Sequence, residues 1–251
     1  MIDGKTATLE LEIAGRDYCF HQSPGLLTST RAEGTTGAVL WKIGPLVASW
    51  LVDDKNALWH AELITANSTI VELGCGISGL IGCAVTPLIG KYIWTDQEYV
   101  LKTLRENIKA NIARSARERH AGRKTSIKQV LDDYSSRVLK LDWEHDDAGV
   151  LSDLTDDVGG LNMIILCDCI YNDFLITPLI ETCKSIAMTY AGKENVVLLI
   201  AQQLRSDEIF TEFMDLLLKD FRVWRVSDNN LPATLSYGTG FTVHLATLRA
   251  S

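Results

Sequence analysis

Strict alternation of apolar and polar residues marks the start of the chain. Residues 8–13, which read TLELEI, place Leu9, Leu11 and Ile13 on one face of an extended segment. The polar stretch AGRD follows, and the chain then returns through the apolar-rich YCF at 18–20. Two such runs separated by turn residues predict an N-terminal β-hairpin.

Further along, short apolar runs alternate with stretches that carry apolar residues at helical spacing. The predicted strands read TIVEL, KYIWTD, SSRVLKL, NMIILCDCI and NVVLLIA. The predicted helices cover 41–51, 57–66, 78–86, 97–115, a segment that starts at Thr177, and 206–219. Ser206 is the expected N-cap of the last helix, because acidic residues occupy the turn that follows it. Alternating strands and helices predict a parallel sheet with helices on both faces.

The C-terminal end departs from this alternation. FRVWRV and FTVHLATL follow one another with a polar turn region between them and no helical pattern. Strands joined in this way pair antiparallel. The predicted fold class is therefore α/β: a Rossmann-like seven-strand sheet, mostly parallel, with a C-terminal antiparallel hairpin, helices on both faces and an N-terminal β-hairpin.

A glycine-rich loop joins the strand TIVEL to the helix after it. The stretch VELGCGISGLIGCAV contains Gly74-x-Gly76-x-x-Gly79. This pattern lets the backbone approach a ligand closely and points helix amides at it. It fits a nicotinamide dinucleotide as well as S-adenosylmethionine (SAM), and Asp96, at the end of the next strand, could accept the ribose hydroxyls of either. The loop alone leaves both cofactors open.

Three other features favour the methyl donor. About seventy residues precede the loop, which is unusual for a dehydrogenase. No Tyr-x-x-x-Lys sequence occurs in the chain, and the histidines have no evident partners for hydride transfer. The C-terminal antiparallel hairpin also fits a seven-strand methyltransferase sheet better than an all-parallel dinucleotide-binding one.

Composition and charge narrow the range of partners. The 251 residues carry a formal net charge of −8, so direct nucleic-acid binding is not expected, because contacts to phosphates rely on Lys and Arg. A basic protein or peptide fits this charge better. No apolar run reaches the roughly 18–20 residues of a membrane helix, and the first residues lack a signal-peptide pattern. We therefore expect a cytoplasmic or nuclear protein that does not associate with membranes.

The six cysteines show no metal-binding spacing. None of them forms a CxxC pair, and Cys167-x-Cys169 falls in an apolar run with no nearby histidine. We expect buried, reduced thiols and no metal site.

Five motifs in a fixed order carry a resemblance to a known family. They read TTGAVLWKIG, VELGCGISGLIG, IWTDQ, LDW and CDCIYND. From about Thr35 to the C-terminus the chain resembles the seven-β-strand (class I) protein lysine methyltransferases, most of all the fungal ribosomal-protein lysine methyltransferases. The resemblance implies SAM-dependent N-methylation of lysine, with S-adenosylhomocysteine (SAH) as the product. It also implies a protein substrate, expected to be a ribosomal or other translation-related protein.

The same resemblance implies a set of cofactor-binding residues. Trp41 would pack against the cofactor, Asp96 would hold the ribose hydroxyls, and Trp143 would lie against the adenine. The remaining residues would line the methionine half and the pocket: Gly74, Cys75, Gly76 and Cys167. Composition alone would also permit both tryptophans to be core aromatics. Glu72, within the strand, is expected to make a structural hydrogen bond.

Two catalytic residues are implied by the Asp-x-x-Tyr of CDCIYND. Asp168 and Tyr171 would face the substrate lysine and the transferring methyl group. The amine must be neutral to react, and its ordinary pKa is about 10.4. An apolar channel would lower that pKa, whereas a carboxylate would raise it, so Asp168 is expected to capture and orient the incoming ammonium, and it could also relay a proton to water. Asp168 could instead cap a turn.

The chain is predicted to be one domain over residues 1–251, and a monomer. Residues 1–34 form an N-terminal hairpin extension, and 114–134 form an insertion within which 114–128 is basic. Residues 142–157 are acidic, and both charged segments are expected on the surface. Other readings remain: methylation of a small molecule or of a non-lysine site, or a SAM-binding module without catalysis.

Overall fold

The N-terminal hairpin is present as predicted. The computed structural model of the protein describes residues 1–25, 36–119, 134, 137–152, 160–190 and 195–249. Strands β1 (Thr8–Ile13) and β2 (Arg16–His21) pair antiparallel. The predicted apolar face of β1 turns inward, because Leu9, Leu11 and Ile13 are each less exposed than their neighbours.

A seven-stranded sheet forms the centre of the molecule. Its strands are β3 (Thr69–Leu73), β4 (Lys91–Asp96), β5 (Val138–Lys140), β6 (Met163–Cys167), β7 (Val197–Gln203), β8 (Phe221–Arg225) and β9 (Phe241–Leu248). Their order across the sheet is β5-β4-β3-β6-β7-β9-β8. Strands β3 to β7 pair in parallel, and β9 runs antiparallel to both β7 and β8. The predicted mostly parallel sheet with a C-terminal antiparallel hairpin is confirmed.

Helices cover both faces of this sheet. They are α1 (Ile43–Val52), α2 (Ala57–His60), α3 (Leu80–Val85), α4 (Glu98–Arg119), α5 (Ile176–Tyr190) and α6 (Asp207–Asp220). Apolar residues of α1, α3 and α4 share one buried cluster, and those of α5 and α6 share the other. Strand β3 divides its side chains between them: Ile70 joins the first cluster, and Val71 and Leu73 join the second.

Helix boundaries differ from the sequence prediction mainly at α2. The predicted helix over 57–66 ends at His60, so the prediction was wrong beyond that residue. The helix stops because Glu62 adopts a left-handed conformation with φ 57°. The amides of Leu63 and Ile64 then both donate to the carbonyl of Leu58, which closes the helix end. Helix α6 begins as predicted, since the Ser206 hydroxyl accepts a hydrogen bond from the Ile209 amide.

Two asparagines on α4 attach the N-terminal hairpin to the rest of the fold. The side chain of Asn107 bonds both backbone groups of His21, at 2.8 and 2.9 Å, and that of Asn111 does the same for Cys19, at 3.0 and 2.9 Å. Asn107 also donates to the carbonyl of Ile77, which lies within the glycine-rich loop. The open edge of β2 is thereby satisfied by side chains spaced one helical turn apart.

The charged segments are only partly within the described residues. Helix α4 is longer than predicted and runs through Arg119 into the basic segment, whereas the rest of the predicted insertion, up to 133, lies outside the described residues. Among the described residues, no helix is both long enough and apolar enough to span a lipid bilayer.

Candidate active site

A cavity opens at the carboxyl ends of β3, β4, β6 and β7. Open α/β sheets bind ligands at this edge, where the loops after parallel strands converge. All nine residues expected at the site line this cavity: Trp41, Gly74, Cys75, Gly76, Asp96, Trp143, Cys167, Asp168 and Tyr171. The structure therefore brings the nine residues together, and their individual roles stay predictions.

The glycine-rich loop forms one wall of the cavity. Gly74 and Gly76 have φ angles of 69° and 64°, which residues other than glycine rarely adopt. A Cβ on Gly74 would lie 3.0 Å from the Trp143 ring, and one on Gly76 would lie 3.2 Å from the Gly37 carbonyl oxygen. Both conformation and space therefore require glycine at these positions.

Asp96 sits at the end of β4 beneath the loop. Its two carboxylate oxygens accept hydrogen bonds from the amides of Gly76 and Gln97, each at 2.7 Å. Burial raises the pKa of Asp96 to about 6, although these two hydrogen bonds oppose the shift. A carboxylate offers about four acceptor positions, so two stay open towards a ligand with hydroxyl donors.

Glu72 makes the structural hydrogen bond expected of it. The Tyr92 hydroxyl donates to its carboxylate at 2.7 Å, and both residues are buried. Burial raises the pKa of Glu72 to about 7, and the Tyr92 hydrogen bond opposes that shift. Glu72 also lines the cavity, so its hydrogen bond links the cavity wall to the buried Tyr92.

The two tryptophans differ in how their indole nitrogens are satisfied. The Trp41 N–H donates to the Thr36 carbonyl at 2.9 Å. The Trp143 N–H is buried and has no hydrogen-bond partner within the part of the chain that the structure describes.

Asp168 follows β6 directly and has an unusual backbone, with φ 62°. Its amide donates to the Ala201 carbonyl at 2.8 Å, which fixes the residue beside β7. Its carboxylate accepts hydrogen bonds from the side chain of Gln202, from the backbone N–H of Gln203 and from Arg205. With Arg205 it also forms an ion pair. Asp168 thus belongs to a polar network that the sequence did not predict.

Tyr171 also lines the cavity. Its hydroxyl oxygen accepts a hydrogen bond from the Thr36 hydroxyl at 2.8 Å, and burial raises its pKa. The thiols of Cys75 and Cys167 also line the cavity, but burial raises the pKa of each well above its ordinary value. These thiols stay protonated at neutral pH, so they are poor nucleophiles.

Among the polar residues of the cavity that sequence reasoning missed are Thr36, Tyr99 and Arg205. The Tyr99 hydroxyl accepts from the Gly37 amide at 3.2 Å and so holds the segment before α1 against α4. A signal existed for Arg205, because it follows the end of β7 by two residues, and the same edge rule that singled out Asp168 applies there.

The chain is similar to known lysine methyltransferases. The family model described as "Lysine methyltransferase" matches residues 21–220. Ribosomal lysine N-methyltransferase 5 of Candida glabrata is 26% identical, with 87% of this chain and 82% of that protein covered. The protein of the same name from Zygosaccharomyces rouxii is 28% identical, with 79% and 69% covered.

Two further matches concern other proteins. A diaminohydroxyphosphoribosylamino-pyrimidine deaminase of Schizosaccharomyces pombe is 30% identical over 89% of this chain, but the chain spans only 47% of its length. A crystal structure of a methyltransferase complexed with SAH superposes with a TM-score of 0.50 at 10% identity, covering 96% of this chain and 56% of that one. The second match supports the fold alone.

Proposed function

The chain belongs to the lysine methyltransferase family, and from this premise we propose that it transfers a methyl group from SAM to a lysine of a ribosomal or other translation-related protein in the cytosol. The name shared by several fungal relatives supports the ribosomal target. The net charge of −8 supports a basic protein substrate, since ribosomal proteins must neutralise RNA phosphates. We further propose that the protein is a monomer with one catalytic domain.

One observation carries the proposal. One cavity is lined both by the glycine-rich loop and Asp96, expected to hold the cofactor, and by Asp168 and Tyr171, expected to meet the substrate. A cofactor and a substrate lysine in this cavity would therefore lie next to each other. This is the arrangement that transfer between two bound molecules needs.

The residues present fit SAM on several counts. Asp96 keeps two acceptor positions for the ribose hydroxyls, and Trp143 lines the cavity, where its ring is expected to lie against the adenine. The left-handed glycines Gly74 and Gly76 leave room for the methionine half. When bound, SAM supplies a methyl group already activated by a sulfonium.

The protein contributes position and a suitable environment. The apolar and aromatic walls of the cavity, Trp41 among them, exclude water and lower the pKa of an entering lysine amine. Asp168 can accept one hydrogen bond from that amine and so aim its lone pair, and Tyr171 narrows the channel. The amine proton leaves to solvent after transfer.

Label transfer tests the proposed function. The purified protein would be incubated with methyl-tritiated SAM and a ribosomal fraction from cells that lack the gene, and labelled bands would be hydrolysed to amino acids. One labelled protein that yields methyl-lysine is the expected result. Label in a small molecule or in another amino acid would contradict it, and SAH binding without any transfer would favour a binding module.

Cofactor affinity should depend on pH through Asp96. Above a pH of about 6 this side chain is a carboxylate with two open acceptor positions, and below it the side chain is protonated. The Kd for SAH should therefore rise as the pH falls below 6, by up to about tenfold per pH unit. Calorimetric titration between pH 5 and 8 measures this dependence.

Two variants assign the pH dependence to its residue. Asp96→Asn should bind SAH more weakly at neutral pH and with an affinity that no longer changes near pH 6. Glu72→Gln removes the neighbouring group whose pKa is raised to about 7 and should keep the decline. A constant wild-type Kd across this range, or the same decline in Asp96→Asn, would refute the role of Asp96.

A further inference from the structure

Arg205 occupies the mouth of the cavity between two residues expected at the site. Its guanidinium carbon lies 4.8 Å from the centre of the Trp41 ring, within the range of a cation–π interaction. The same guanidinium bonds Asp168 through both terminal nitrogens, one of them at 3.0 Å from Oδ1. The Asp168 side chain is 4% exposed and that of Arg205 is 33% exposed, so the arginine lies nearer the solvent.

The hydrogen bonds of Asp168 fix the orientation of its carboxylate. Oδ1 accepts from the Gln202 side chain at 3.1 Å, from the Gln203 amide at 3.3 Å and from Arg205. Oδ2 accepts from the second nitrogen of Arg205. A carboxylate has about four acceptor positions, so Oδ2 retains one for an incoming amine.

The ion pair changes the charge that a lysine amine meets. An isolated carboxylate at Asp168 would stabilise the ammonium form and raise the amine pKa, which opposes methylation. The Arg205 guanidinium supplies a positive charge next to that carboxylate, so the pair is neutral. A neutral amine can then donate a hydrogen bond to Oδ2 and be oriented by it, without being held as an ammonium ion.

We propose that Arg205 is a positioning residue of the methyl transfer: it fixes Asp168 for one hydrogen bond to the lysine amine and cancels its charge, so that the amine enters uncharged. This inference rests on the proposed function. Trp41 keeps the guanidinium over the cavity mouth, where its charge also disfavours entry of the ammonium form.

The pH profile of transfer tests the proposal. Initial rates would be measured between pH 6.5 and 9.5 with methyl-tritiated SAM and ribosomal proteins extracted from cells that lack the gene, at saturating concentration so that rates report kcat, whose rising limb follows the pKa of the bound amine. In Arg205→Gln the rising limb should move to higher pH by about one unit or more, because Asp168 then loses the guanidinium paired with it and is left with the Met1 amino group as a nearby positive charge. The variant should be at least about tenfold slower at pH 7 and should recover at the alkaline end.

Two further variants separate charge from general disruption. Arg205→Lys keeps the positive charge without the forked contact, so its limb should stay nearer the wild-type position. Arg225→Gln is the matched control: Arg225 pairs with Asp228 at 2.7 Å and lies 6.0 Å from the Tyr237 ring, away from the cavity. Its profile should coincide with that of the wild type.

The outcomes are separable from those of the proposed function. Wild-type protein that places no label on lysine would overturn both. Wild-type transfer to lysine together with an unmoved limb in Arg205→Gln would overturn this inference alone. Arg205→Gln that still binds SAH but stays inactive up to pH 9.5 would also overturn it, since alkaline recovery is required.

Discussion

Asp168→Asn should lower kcat/KM for lysine methylation by about 100-fold or more while leaving SAH affinity near that of the wild type. Asparagine is the informative replacement because it tolerates the left-handed backbone at φ 62°, where alanine would be strained. The amide keeps the size of the side chain but loses the ion pair with Arg205 and places a donor where an acceptor is needed. The amine would then meet an uncompensated guanidinium and a group that cannot orient it.

Steady-state kinetics of label transfer and calorimetric SAH titration measure the two halves of this prediction. Asp220→Asn serves as the control, since Asp220 also forms an ion pair, at 2.8 Å with Lys184, but does not line the cavity. Near-normal transfer by Asp168→Asn would remove Asp168 from the reaction. An equal loss in Asp220→Asn would show that the effect reflects stability.

The sheet was predictable because most of its strands are short runs of apolar residues. The apolar runs that form β3, β6 and β7 are buried on both faces, so their composition alone marks parallel strands in the interior. The edge rule for parallel sheets then gathers Gly74, Asp96 and Asp168, which are far apart in sequence. Fold and site location therefore follow from patterns of a few residues each.

The polar partners within the site were not predictable in the same way. The contact between Asp168 and Arg205 spans 37 positions and depends on how two strand ends are placed. The asparagine pair on α4 likewise bonds the edge of β2, more than 80 residues away. Asparagines within a helical pattern do not by themselves indicate such a contact. The end of α2 was missed for a local reason, since Glu62 is not a residue type that marks a left-handed turn.

Gly82 of α3 is the position where a single methyl group should destabilise the fold most. A Cβ there would lie 2.1 Å from Nε1 of Trp94 and 2.5 Å from Cε1 of Tyr92. Both rings are fully buried, and Trp94 is also held by a hydrogen bond from its N–H to the Gly79 carbonyl at 3.1 Å. The rings cannot yield by rotating a flexible end, so helix and strand must separate.

Gly82→Ala should therefore reduce the free energy of unfolding by about 3 kcal/mol or more, which corresponds to a fall in Tm of about 6–12 °C. Binding of SAH should weaken as well, because Tyr92 donates to Glu72 in the cavity wall. Gly44→Ala in α1 is the matched control: its Cβ would meet the flexible ends of two leucine side chains, Leu40 at 3.3 Å and Leu80 at 4.0 Å, and the change should stay within about 1 kcal/mol. Thermal unfolding of the three proteins decides the point, because equal Tm values for Gly82→Ala and the wild type would mean that α3 does not pack on β4 as closely as described.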